Sequence, residues 1–142
     1  MTSTDSQLAI QRTQQIFELL DQWGTSAEEK LQLLHMQDHV KARHLSRYRR
    51  GESLPDLEEI QIRMEHLLGI ADALRTMHPL NNQMGAIWMN QRHRRFNERT
   101  PLQTMLEDDL DGIIIVRKHV DCSYDWQMDA ERYQSLADAK KQ

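Results

Sequence analysis

Residues 26–51 read SAEEKLQLLHMQDHVKARHLSRYRRG, and the helical reading of this stretch decides the fold. Ser26 stands three residues before Glu29, the spacing of a capping box, in which hydroxyl and carboxylate each accept from the other residue's backbone N–H. Leu31, Leu33 and Leu34 supply the apolar side of the short helix that follows. The pattern breaks at 35–37. Asp38 is the next candidate N-cap and Gly51 a natural stop, so 39–50 is predicted as one helix. At 100° per residue, Val40, Ala42, Leu45 and Tyr48 share one arc of it. His39, Arg43, Ser46, Arg47 and Arg50 share the opposite arc, while Lys41 falls among the apolar residues and has to snorkel outward. Two short helices with a tight break between them, the second basic, have the layout of a helix-turn-helix.

Working outward, Ile10, Ile16, Phe17, Leu19, Leu20 and Trp23 line one face of a helix over 7–23 that Gly24 ends. A connector at 52–56 contains Pro55. Helical spacing resumes over 57–68, is interrupted at Gly69 and continues over 70–77. Pro79 and the pair Asn81-Asn82 mark a boundary, which divides the chain into 1–78, a helix-turn-helix half, and 79–142, a second small unit with a C-terminal tail. That unit begins with a helix at 84–89 around Trp88 and a basic turn at 90–99. Thr100 is a candidate N-cap with Pro101 at the first helical position, where its missing N–H costs nothing. A short helix over 101–106 ends at the acidic run 107–111 and Gly112. Residues 113–120 are either a helix, with Ile113, Val116 and Val120 on one face, or a strand, as their β-branched content suggests. The tail 129–142 is polar. With only 5 Gly and 3 Pro, at spaced positions, the expected fold class is all-α.

The chain has 142 residues, 39% hydrophobic and 28% charged, enough to bury a modest core. No apolar run approaches the roughly 20 residues that span a bilayer. Residues 1–7 lack the basic-then-apolar layout of a signal peptide, so a cytoplasmic protein is expected. The net charge of −4 hides patches of opposite sign. Between 39 and 51 stand Lys41, Arg43, Arg47, Arg49 and Arg50 without an acid. Arg92, Arg94, Arg95 and Arg99 form a second basic run, and Glu107, Asp108, Asp109 and Asp111 an acidic one. The single cysteine, Cys122, forms neither an internal disulfide nor a cysteine-based zinc site. His35 and His39 have i,i+4 spacing, but the break between them and the lack of a third ligand argue against a metal. No nucleophile elbow, P-loop or dinucleotide fingerprint occurs, so no catalytic residue and no cofactor is expected.

In a helix-turn-helix the second helix enters the major groove. Arg43 and Arg47 are therefore the candidate base readers, with His39 and Ser46 beside them, and Lys41, Arg49 and Arg50 are the candidate phosphate contacts. In the second half Trp88, Phe96, Leu102, Met105 and Leu106 have the character of a small core. Arg94, Arg95 and Arg99 serve either a partner surface or internal pairing with 107–111.

The residues Trp88, Asn90, Phe96, Thr100-Pro101-Leu102, Gly112 and Val116-Arg117 closely resemble the second half of the Xre/MbcA/ParS antitoxin family. The segment 67–70 with Ala73-Leu74 is similar to that family's linker, and Trp23-Gly24 to the entry into its helix-turn-helix. The resemblance covers about 15–126. It departs at the turn, where His35 or Met36 stands in place of a frequent Gly. It implies a homodimer that binds operator DNA and a cognate toxin of the RES or ParT type. Such toxins degrade NAD or transfer ADP-ribose, and the antitoxin's C-terminal segment blocks the active site. Arg117, Tyr124 and Trp126 then become candidate toxin-binding anchors, although Trp126 equally suits packing on its own domain. The alternatives are a stand-alone helix-turn-helix regulator whose second half only dimerises, and a small enzyme, which lacks any supporting motif.

Overall fold

The computed structural model describes residues 2–81 and 83–121. Cys122, Tyr124, Trp126 and the polar tail, all noted in the sequence, lie outside the described residues. The fold is all-α: α1 Thr2–Gln22, α2 Ala27–Leu33, α3 Ser46–Arg49, α4 Glu58–Met77, α5 Met84–Met89 and α6 Pro101–Val120, with short 3-10 turns at Ala42–His44 and Arg94–Phe96. No strand occurs among the described residues, only an isolated antiparallel bridge between His93 and Arg99.

α1 buries Ile16, Phe17, Leu19 and Leu20 along one stripe. It stops at Gly24, whose φ of 80° suits only a residue without a Cβ penalty. The next turn encloses a lysine. Lys30 is buried, but its ammonium donates to the Thr25 carbonyl at 2.7 Å and pairs with Asp21 at 3.0 Å. The capping box of α2 is present in both directions, Ser26 N to Glu29 at 2.8 Å and Glu29 N to Ser26 Oγ at 3.1 Å. The break after α2 falls at His35, in the left-handed region at φ 59°. The His35 imidazole reaches Glu59 at 2.9 Å, which ties the turn to the start of α4.

Residues 39–50 do not form the single helix expected. The amides of His39 and Val40 both bond back to Met36, and Lys41 is extended at φ −88°, ψ 151°. Asp38 therefore caps nothing. The chain restarts as a 3-10 turn and one turn of α-helix that ends before Gly51, at φ 116°. The residues that pack inward, Ala42, Leu45 and Tyr48, are spaced by three, the repeat of a 3-10 helix rather than of an α-helix. The extended backbone also resolves the position of Lys41, which is exposed.

Gly69 does not interrupt α4, which runs unbroken through it. A Cβ at that position would lie 2.7 Å from Nε and Cζ of Arg117, so the glycine opens a channel for an arginine crossing from α6. Thr100 opens α6 with a complete capping box to Gln103, and Pro101 sits at its start. The helix extends past 106 to Val120 but breaks sharply at Asp109 (φ 55°, ψ −136°). The two limbs meet so closely that a Cβ on Gly112 would overlap the Thr104 carbonyl. The second limb is helical, with Ile113, Val116 and Val120 buried on one face. It packs on α4, and residues from both sides of the 78/79 boundary join one hydrophobic core.

Candidate functional site

All seven residues expected to meet DNA are exposed: His39, Lys41, Arg43, Ser46, Arg47, Arg49 and Arg50. Leu45 and the Tyr48 ring anchor their segment in the core, with Tyr48 stacked on Phe17 at 5.7 Å. Burial, and after it the Glu52 carboxylate, pushes the Tyr48 phenol above its usual range, so the ring stays neutral. The seven differ in their partners. Arg49 bonds Asp21 at 2.9 Å and lies over the Phe17 ring, and Arg47 pairs with Glu52 at 3.6 Å. Lys41, Arg43 and Arg50 have no carboxylate partner among the described residues; the Arg43 Nε instead donates to His44 Nε2 at 3.3 Å. Charge pairing thus singles out 41, 43 and 50, which helical phase alone had not.

Arg117, a candidate toxin anchor in the sequence, lies largely within the fold. Its side chain is only 15% exposed. It passes Gly69, donates to His66 Nδ1 at 3.0 Å and pairs with Asp121 at 3.5 Å. An arginine only donates, so Nδ1 of His66 is the acceptor and its ring proton sits on Nε2. Burial first, and then the Arg117 charge, pull the His66 pKa down. Arg117 is a strut between α6 and α4. Its sequence pattern carried no sign of this, because its partners lie 48 and 51 positions away.

Of the second basic run, Arg99 is neutralised internally, by Asp108 at 2.9 Å and Glu107 at 3.1 Å. The hydrogen bonds from Arg99 hold the Asp108 carboxyl below its usual range. Arg92, Arg94 and Arg95 remain exposed. A pair missed in the sequence joins the buried Arg63 on α4 to the exposed Asp109 at 3.0 Å, and Arg63 also donates to the Glu59 carbonyl. Among the described residues no group of three or more His, Cys, Asp or Glu is placed to hold a metal, and no helix is long and apolar enough to cross a membrane.

No protein-family model matches the chain, and no curated protein or solved structure is significantly similar to it.

Proposed function

We propose that this chain is an antitoxin of the Xre/MbcA/ParS kind, a cytoplasmic homodimer that binds operator DNA and a cognate RES- or ParT-like toxin, with no catalytic activity of its own. The observation that carries the DNA half is the core-anchored segment 39–50. It presents seven polar and cationic side chains to solvent and leaves Lys41, Arg43 and Arg50 without carboxylates among the described residues. Such residues suit phosphate and guanine contacts. The toxin half is supported by the sequence pattern from Trp88 to Arg117, in which Thr100 and Pro101 open α6 and Gly112 lets its two limbs approach.

The test is binding to the DNA upstream of the chain's own reading frame. Replacing Arg43 and Arg47 by Ala should weaken binding at least tenfold, since a good bidentate base contact contributes about 1–3 kcal/mol. Neutralisation of the neighbouring toxin on co-expression should persist. Unchanged affinity at matched salt would remove 39–50 from the interface. Turnover of NAD by the isolated chain would overturn the non-enzymatic assignment. A second reading, a regulator without a toxin partner, is favoured by the internal use of Arg117. A neighbouring gene product that is harmless when expressed alone would select it.

A further inference from the structure

The turn at 90–99 is built as a rigid platform. His93 N donates to the Arg99 carbonyl at 3.0 Å, and Glu98 N to the His93 carbonyl at 3.1 Å. Asn97 and Glu98 both take the left-handed region, at φ 58° and 62°. Phe96 is buried, and its ring meets those of Trp88, His93 and His119 at centroid distances of 5.2–6.2 Å. The side chains displayed on this platform are exposed and polar throughout: Asn90, Gln91, Arg92, Arg94, Arg95, Asn97 and Glu98.

Charge pairing separates the arginines again. Arg47, Arg49, Arg63, Arg75, Arg99 and Arg117 each have a carboxylate partner. Arg92, Arg94 and Arg95 have none among the described residues, although Glu98 lies in the same turn. Arg95 instead donates to His119 Nε2 at 3.4 Å. That histidine is held below its usual range by burial and then by the Arg95 and His93 charges.

Position relates this turn to the segment 39–50. Asn90 Nδ2 donates to the Trp23 carbonyl at 3.0 Å, at the end of α1. Arg49 bonds Asp21, two residues earlier, at 2.9 Å. Five residues of chain reach at most about 18 Å, so Arg95 lies within that distance of Asn90. Both basic segments therefore have a residue bonded to the C-terminal end of α1, Asn90 at Trp23 and Arg49 at Asp21.

We propose that Arg92, Arg94 and Arg95 form a second phosphate-contacting element, which extends the DNA footprint from the first half of the chain onto the second. This rests on the DNA-binding reading above. A protein partner would call for apolar or aromatic anchors at the centre of the contact. No exposed side chain of 90–99 is apolar or aromatic, whereas phosphates need only donors and positive charge. Because the turn's backbone is already hydrogen-bonded, little loop ordering opposes binding.

The experiment measures affinity of the full chain for its upstream DNA between 50 and 200 mM salt. Every phosphate deprived of its cation should lower the slope of log K against log salt by about 0.9. The triple variant R92Q/R94Q/R95Q should therefore lose about 2.7 of slope, so its affinity falls about 40-fold less over this fourfold salt range. Sequence preference should not change. Should the triple variant fold poorly by circular dichroism, R94Q alone should lose about 0.9. A variant with the wild-type slope overturns the proposal while DNA binding stands. A slope that changes with R92Q/R94Q/R95Q but not with K41Q/R43Q/R50Q upholds this element and sinks the role of 39–50. Loss of toxin neutralisation at an unchanged slope assigns the turn to a protein partner and overturns it. No DNA binding by the wild-type chain refutes both.

Discussion

Two glycines on α4 and α6 face opposite fates on gaining a methyl group. At Gly112 the new Cβ would overlap backbone, the Thr104 carbonyl, which is buried and cannot retreat. Gly112→Ala should cost at least about 2 kcal/mol, the scale of overpacking, by chemical denaturation. At Gly69 the obstacle is the tip of the Arg117 side chain, and Ala in mid-helix recovers up to about 1 kcal/mol of propensity. Gly69→Ala should fall within about 1 kcal/mol of wild type. Equal losses at the two sites would contradict this account. His66 makes a residue-scale prediction in pH. Its folded pKa lies below the usual 6.5, so on acidification the unfolded chain takes up the proton first. The stability it contributes is complete above that value and is lost as pH falls through 6.5 toward the lower folded pKa. His66→Gln keeps an acceptor for Arg117 and should flatten the dependence of unfolding free energy on pH in this window. A wild-type slope in the variant would exclude His66 as its source.

Among the elements, those set by local chemistry were legible in the sequence. Ser26 with Glu29 and Thr100 with Pro101 mark their helix starts within a few residues; the Ser26 capping box occurs where the letters put it, and Thr100 caps α6 as its position suggested. The elements shaped from a distance were not. Ala42, Leu45 and Tyr48 suit a 3-10 turn as well as a helical face, and the only warning was Lys41 in the apolar arc. The acidic run 107–111 reads as a helix end, yet only Asp109 leaves helical geometry. It does so in a region that costs a non-glycine residue about 1–3 kcal/mol. The compensation comes from elsewhere: Arg63 bonds Asp109, and Gln32 of α2 donates to the Leu106 carbonyl at 2.6 Å. Asp109→Ala leaves the Arg63 guanidinium buried without its carboxylate. Because Asp109 itself is 56% exposed, a loss of about 2–3 kcal/mol is expected, below the range for fully buried pairs. Arg63→Met in the same background should restore part of it. If the double variant is no more stable than Asp109→Ala alone, the pair is not what holds the break.

On the scale of the whole molecule, the Pro79 turn read as a boundary is a fold-back. The second limb of α6 returns to lie along α4, and Asn90 reaches the end of α1, so the two halves complete one core. The fragment 1–78 should therefore show weak helical ellipticity and a broad, non-cooperative melt. A sharp two-state transition for that fragment would establish an independent first domain instead. The exposed cationic run at 39–50 was legible as a group, because a run of cations needs no tertiary context. Which of them are neutralised was not, since Asp21 stands 28 positions from Arg49. The pairing of α4 with α6 also has a consequence on the ribosome. After Met77 closes α4, 43 more residues must be made before Val120 completes its cover. At about 5–20 residues per second, the nascent chain bears an open apolar flank for about 2–9 s. Codon speed across 78–120 should therefore set how long that exposure lasts.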